Sequence, residues 1–149
     1  MLAMTDTPIA LVLGGGSLLS LVGRELNTAL ERRFATYDVT AQQAALLLHA
    51  ATGPISPNRL AVALGTDTAG TTRLLDRLVA KGLVQRTRHP EDRRSILVEV
   101  TAAGRAVLPH LPPVFGQVTR VLLAGFSAGE IEQLSGMLRR MLTNLETAC

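Results

Sequence analysis

Apolar residues recur at helical spacing through most of the chain, and paired start signals cut them into segments. Thr40 and Gln43 form a capping-box pair ahead of the apolar run 44–48. Ser56 precedes Pro57, with Ile55 and Leu60 at the two staple positions, and Ser127 pairs with Glu130 between Phe126 and Ile131. Asp67 stands where its carboxylate can accept from the first-turn amides of a helix over 68–81 and favour the positive end of its dipole. These starts predict an α-dominated fold.

The helix over 68–81 turns Leu74, Leu75, Leu78 and Val79 inward and leaves Thr68, Thr72, Arg73, Asp76 and Arg77 on the other side. Gly82 ends it as a left-handed residue. Residues 83–88 and 95–100 then read as strands, the second alternating through Ile96, Val98 and Val100, and the Pro90-containing connection makes them a hairpin. Two short capped helices, the second rich in Thr and Arg, followed by an Arg-tipped hairpin, describe a winged helix-turn-helix. After Thr101 the pattern is helical again, but Pro109, Pro112 and Pro113 predict a break or kink near 110–112, because proline removes an amide donor and crowds the preceding turn. Helices follow over about 114–124 and 128–145, the last carrying Ile131, Leu134, Leu138, Leu142 and Leu145 in a stripe. With an N-terminal helix over 18–34, these elements hold more apolar surface than a small reading head can cover. A homodimer made from the two ends of the chain would bury it. The fold expected is mainly α with a small β-hairpin wing: residues 1–38 and 101–149 form the dimerisation region around a DNA-binding region at 39–100.

Charge sharpens this picture. Residues 56–94 carry eight basic and four acidic side chains, a net +4, while the remainder of the chain is −1. Fourteen of the fifteen cations are Arg, whose planar fork suits phosphate and guanine. Aromatics are only 3% of the chain, too few to stack on single-stranded bases, whereas a helix reading duplex DNA needs none. Double-stranded DNA is therefore the leading partner. A winged helix used for protein interaction or dimerisation without DNA binding is the alternative, and the steepness of the salt dependence on random duplex discriminates the two.

These residues resemble the multiple-antibiotic-resistance regulators, the MarR family. The resemblance runs through nearly the whole chain: Val39-Thr40, Asn58-Arg59-Leu60-Ala61, Thr71-Thr72-Arg73-Leu74-Leu75-Asp76-Arg77-Leu78, Lys81-Gly82-Leu83-Val84 with Arg86, Asp92-Arg93-Arg94, and Thr101 with Gly104. It implies a homodimeric transcription factor, usually a repressor, that binds a palindromic operator and often releases it on binding a small aromatic or anionic compound. Carried over, Thr68, Thr72, Arg73 and Arg77 belong to the helix in the major groove, Arg94 is the wing arginine aimed by a salt bridge from Asp92, and Arg59, Arg86, Arg88 and Arg93 meet phosphate. Three departures stand out. His89 replaces the usual first acid of the wing turn, and the proline break interrupts what is usually a long helix. Gly70 and Thr71 loosen the start of the recognition helix, by about 1 kcal/mol for the glycine.

Tyr37 and His49 are the polar candidates for an effector pocket between the heads and the helical base. Residues 9–17 mimic a strand and phosphate-binding glycine loop but lack a third glycine in register and a P-loop Lys, and read instead as a Gly-interrupted start to the first helix. His49, His89 and His110 have no partnered Cys or carboxylate set, and the single cysteine, Cys149, is the last residue. The chain thus offers no catalytic group, metal cluster or cofactor motif. The uncharged run 7–23 follows Asp6 rather than a basic region and is too short to span a bilayer, so a cytoplasmic protein with no membrane partner is expected.

Overall fold

The protein is described here from a computed structural model covering residues 17–148; the glycine run 9–16 and Cys149 lie outside the described residues. Helix α1 (Leu18–Phe34) starts at Ser17, whose hydroxyl accepts from the Ser20 amide, and passes through a 3-10 turn (Ala35–Tyr37) to α2 (Ala41–Ala50). The capping box forms as its sequence requires: Thr40 Oγ1 accepts from the Gln43 amide and Gln43 Oε1 from the Thr40 amide, both at 3.1 Å. Helix α3 (Pro57–Leu64) and the recognition-type helix α4 (Thr68–Ala80) follow, capped by Ser56 and Asp67. The hairpin β1 (Val84–Arg88) and β2 (Ile96–Val100) pairs Val84 with Val100 and Arg88 with Ile96. Helix α5 (Ala102–Val107), a 3-10 turn (Leu108–His110), α6 (Leu111–Leu122) and α7 (Ala128–Thr147) complete the order.

The core gathers Leu46 and Leu47 of α2, Leu60 of α3, Leu74, Leu75 and Leu78 of α4, and Val84, Val98 and Val100 of the hairpin. On the α1–α6 side Phe34 meets Phe115 edge to face at 4.9 Å, a favoured arrangement of aromatic quadrupoles. Two expected core positions fall outside. Val79 and Ile96 are both exposed, Val79 because it lies at the edge of the α4 stripe and Ile96 because it stands at the tip end of β2, past the helices. Ile55, read from sequence as a staple, also exchanges two backbone hydrogen bonds with Val98, extending the hairpin by one bridge.

The proline break is real and local. Pro109 is the second residue of the 3-10 turn and Pro112 the second of α6, with Pro113 next to it, first-turn positions whose amides have no partner within a helix in any case. Gly82 takes φ 72° as the residue that ends α4. Gly104 is needed for a different reason: a Cβ there would collide with the Leu83 carbonyl oxygen and Val100 Cγ1, so α5 can lie on the root of the hairpin only through a glycine. Helix α7 is unlike the rest, since none of its residues is buried and Leu138, Met141, Leu142 and Leu145 all face solvent.

Candidate nucleic-acid interface

The start of α4 is built from polar groups that satisfy one another. Asp67 Oδ1 accepts from the Gly70 amide at 2.6 Å, and a Cβ on residue 70 would sit only 2.9 Å from that oxygen. Thr71 is buried, its hydroxyl within 2.9 Å of the Asp67 carbonyl oxygen and 2.8 Å of the Thr66 hydroxyl. Of the two residues expected to loosen the helix, Thr71 instead pins the turn between α3 and α4 from inside, while Gly70 leaves the capping carboxylate room.

Beyond this anchor Thr68, Thr72, Arg73, Asp76 and Arg77 are exposed together along one face. Thr72 donates its hydroxyl hydrogen to the Thr68 carbonyl at 2.9 Å, which leaves its methyl group and an oxygen lone pair for an outside partner. Where α4 begins, Gln42, Thr66, Asp67, Gly70, Arg73 and Arg77 line a polar cleft of about 380 Å³. Arg59 is exposed near the start of α3.

In the hairpin, Arg86 Nη2 lies 2.6 Å from Asp76 Oδ1, tying β1 to the outer face of α4. This guanidinium, expected to meet phosphate, is engaged within the protein. At the tip Asp92 does not pair with the Arg94 side chain as expected. Its Oδ1 accepts from the Arg94 backbone amide at 3.0 Å and its Oδ2 from the Ser95 hydroxyl at 2.8 Å, so it orders the backbone that carries the arginine. The Ser95 hydroxyl first, then the Arg94 amide, with a smaller attraction from His89, hold the Asp92 carboxyl below its ordinary value. His89 closes the other half of the turn, its Nδ1 accepting from the Glu91 amide at 3.1 Å. Arg88, Arg93 and Arg94 are exposed around it.

One polar junction was missed in sequence. Lys81, just past α4, donates from Nζ to the Asp38 carbonyl at 2.5 Å and to Gln43 Oε1 at 3.1 Å, with the Asp38 carboxylate 3.8 Å away. Gln43 is buried, and its oxygen serves the α2 cap and the end of α4 at once. Tyr37 is half-buried and stacks on His110 at 5.2 Å, whereas His49 is exposed on α2. Neither lines the polar cleft or the apolar one of about 300 Å³ between α1 and α6, which Leu21, Val22, Leu26, Val118 and Val121 line with Glu25 and Arg33 beside them.

A family model described as the MarR family matches residues 37–95, from the end of the 3-10 turn after α1 to the wing. The multiple antibiotic resistance protein MarR of Escherichia coli is 32% identical over 129 residues, 85% of this chain and 90% of that one. The chain belongs to the MarR family of transcriptional regulators. Among solved structures, a cysteine-to-serine variant of Escherichia coli MarR complexed with operator DNA superimposes on this MarR-family chain with a TM-score of 0.78 at 29% identity, covering 92% of this chain and 99% of that one. Bordetella bronchiseptica BpsR, solved in a study of how 6-hydroxynicotinic acid regulates its DNA binding, gives 0.76 at 26% identity over 83% of this chain and 89% of its own. The fold is the winged helix of MarR-family regulators, and the relatives are regulators rather than enzymes. Among the described residues no helix is long and apolar enough to cross a membrane, and none of the acidic and histidine side chains group as a metal site.

Proposed function

We propose that this MarR-family protein acts as a homodimer that reads a palindromic operator in double-stranded DNA and represses transcription until a small aromatic or anionic compound releases it. The carrying observation is the division of labour among charges on the α4–wing face. Asp67 is spent on the helix cap, Asp76 on Arg86 and Asp92 on the wing turn, while Arg73, Arg77, Arg88, Arg93 and Arg94 stand exposed with no carboxylate partner among the described residues. The face that remains is strongly cationic and preorganised.

In this reading α4 enters the major groove with Thr68, Thr72, Arg73 and Arg77, and Arg94 enters the minor groove. Arg59, Arg88 and Arg93 contact phosphate, and Arg86 acts chiefly by fixing the wing to α4. Two heads about 34 Å apart would match one turn of DNA. Residues 39–100 serve as the reading head and both ends of the chain as the dimer base, with the exposed apolar side chains of α1, α6 and α7 buried between copies. An effector that changes the spacing of the heads would release the operator. BpsR, whose DNA binding responds to 6-hydroxynicotinic acid, supports that class of compound. The cytoplasm is the compartment this function requires.

The test is selection of fragments bound by the purified protein from its source genome, followed by mobility shift over a range of salt. A palindromic site bound with a steep salt dependence is the expected result. Failure to enrich any palindrome would overturn the reading.

A further inference from the structure

His89 holds the wing turn through a hydrogen bond that depends on the protonation state of its ring. Its Nδ1 accepts from the Glu91 amide, and its own amide donates to the Ser95 carbonyl at 2.9 Å, so backbone and ring both fasten the tip. An imidazole nitrogen can accept only when it carries no proton, so this bond selects the neutral ring with its hydrogen on Nε2. The arrangement imitates an Asx turn, in which an Asn or Asp oxygen two residues back accepts the same amide. The charged residues that share the hairpin tip with His89 are Arg88, Glu91, Asp92, Arg93 and Arg94. The helices meet the hairpin at its root, through Val84, Val98 and Val100, and on its outer side through Asp76, whose carboxylate is held by Arg86.

We propose that His89 is a positioning residue for the wing arginines, holding the tip in its DNA-reading shape only while its ring is neutral. The proposal rests on the DNA-binding reading above. On protonation, Nδ1–H would point at the Glu91 N–H, donor against donor, and the ring must turn away. An anion of the same turn that it can turn toward is Asp92, whose two oxygens are holding the Arg94 amide and the Ser95 hydroxyl. Acid therefore loosens both halves of the turn. It also adds a positive charge to the tip, which favours any phosphate. The two effects separate in one quantity: affinity for random duplex is maintained as the pH falls, while the ratio of operator to random affinity drops.

The test uses the full-length protein with a duplex selected from a random pool at pH 8 and an unrelated duplex of equal length, at constant ionic strength. For the wild type the affinity ratio should fall about three- to tenfold between pH 8 and pH 5.5, the range expected for losing one or two hydrogen bonds. His89→Asn, which keeps an acceptor in place of Nδ1 and cannot titrate, should hold the high ratio across the range. His89→Ala should give the low ratio throughout. In the free protein, the amide resonance of Glu91 should shift with pH in the wild type and stay fixed in His89→Asn. A ratio that falls equally in His89→Asn, or a Glu91 amide insensitive to pH in the wild type, overturns the proposal and leaves the regulator reading standing. If no duplex is selected at pH 8, the regulator reading fails, and the Glu91 resonance still decides whether the latch exists.

Discussion

At the scale of single residues, the α4–wing face uses Asp67 and Asp92 to shape backbone and Asp76 to hold Arg86, and leaves its other arginines to meet a partner. Arg73 is exposed on the outer face of α4 one turn from Arg77, within reach of base edges if the helix lies in a major groove. Arg73→Ala is expected to cost about 1 to 3 kcal/mol on the operator and much less on random duplex. Titration by fluorescence anisotropy on both duplexes checks it, and equal losses would mark Arg73 as a phosphate contact. Asp92 gives a pH-dependent expectation of definite sign. Its carboxyl is depressed below 3.8, so its stabilisation of the wing is complete above that ordinary value and is lost as the pH falls through the lower, folded one. In carboxyl-detected NMR Asp92 should titrate below the ordinary range, with the Arg94 amide moving in step. Asp92→Asn should abolish that movement.

At the scale of elements, the junctions explain why the wing and α4 act as one body. Arg86 and Asp76 tie strand to helix from outside, and Lys81 ties the end of α4 to the start of α2 through Gln43. Inside, the contact of α5 with the hairpin root has no room for a methyl group. Thr101 caps α5 by accepting from the Gly104 amide and donates to the Gly82 carbonyl, so the same few residues close β1, β2 and α5 together. Gly104→Ala should therefore destabilise the fold by about 1 to 3 kcal/mol, the usual cost of overpacking, despite alanine's better helix propensity. Urea denaturation at fixed protein concentration would measure this. Stability equal to wild type would mean that α5 can shift away at little cost.

At the scale of the whole molecule, α7 is the outlier: a helix of 20 residues with no buried side chain of its own. Its Leu142 and Leu145 are 61% and 66% exposed, and together with apolar residues of α1 and α6 they form surface that a single soluble chain rarely leaves uncovered. The double variant Leu142→Glu, Leu145→Glu is expected to sediment as a monomer and to bind the operator at least about tenfold more weakly, because two heads held together act at high effective concentration. Since α7 contributes nothing to the core of its own chain, circular dichroism should still report folded helices. A variant that remains dimeric would place the interface elsewhere.

Local rules reach a long way in this chain. The caps at Thr40, Ser56, Asp67 and Ser127, the left-handed Gly82, the inner leucines of α4 and the proline break all depend on neighbours within a few residues, and hydrophobic period and cap chemistry report those directly. The exposed set Thr68, Thr72, Arg73 and Arg77 follows from the same periodicity. Tertiary structure alone decided the rest. Asp92 turns to the backbone rather than to Arg94 because the turn brings unpaired donors closer than a flexible guanidinium. Arg86 finds Asp76, and Lys81 finds Gln43 and Asp38, across loops whose closure no spacing reveals. Thr71 becomes an anchor only once α3 and α4 meet, and Gly104 becomes indispensable only where a backbone carbonyl from another element takes the space of a side chain. Periodicity records which face of an element turns inward; which partner waits there depends on contacts between residues far apart in the chain.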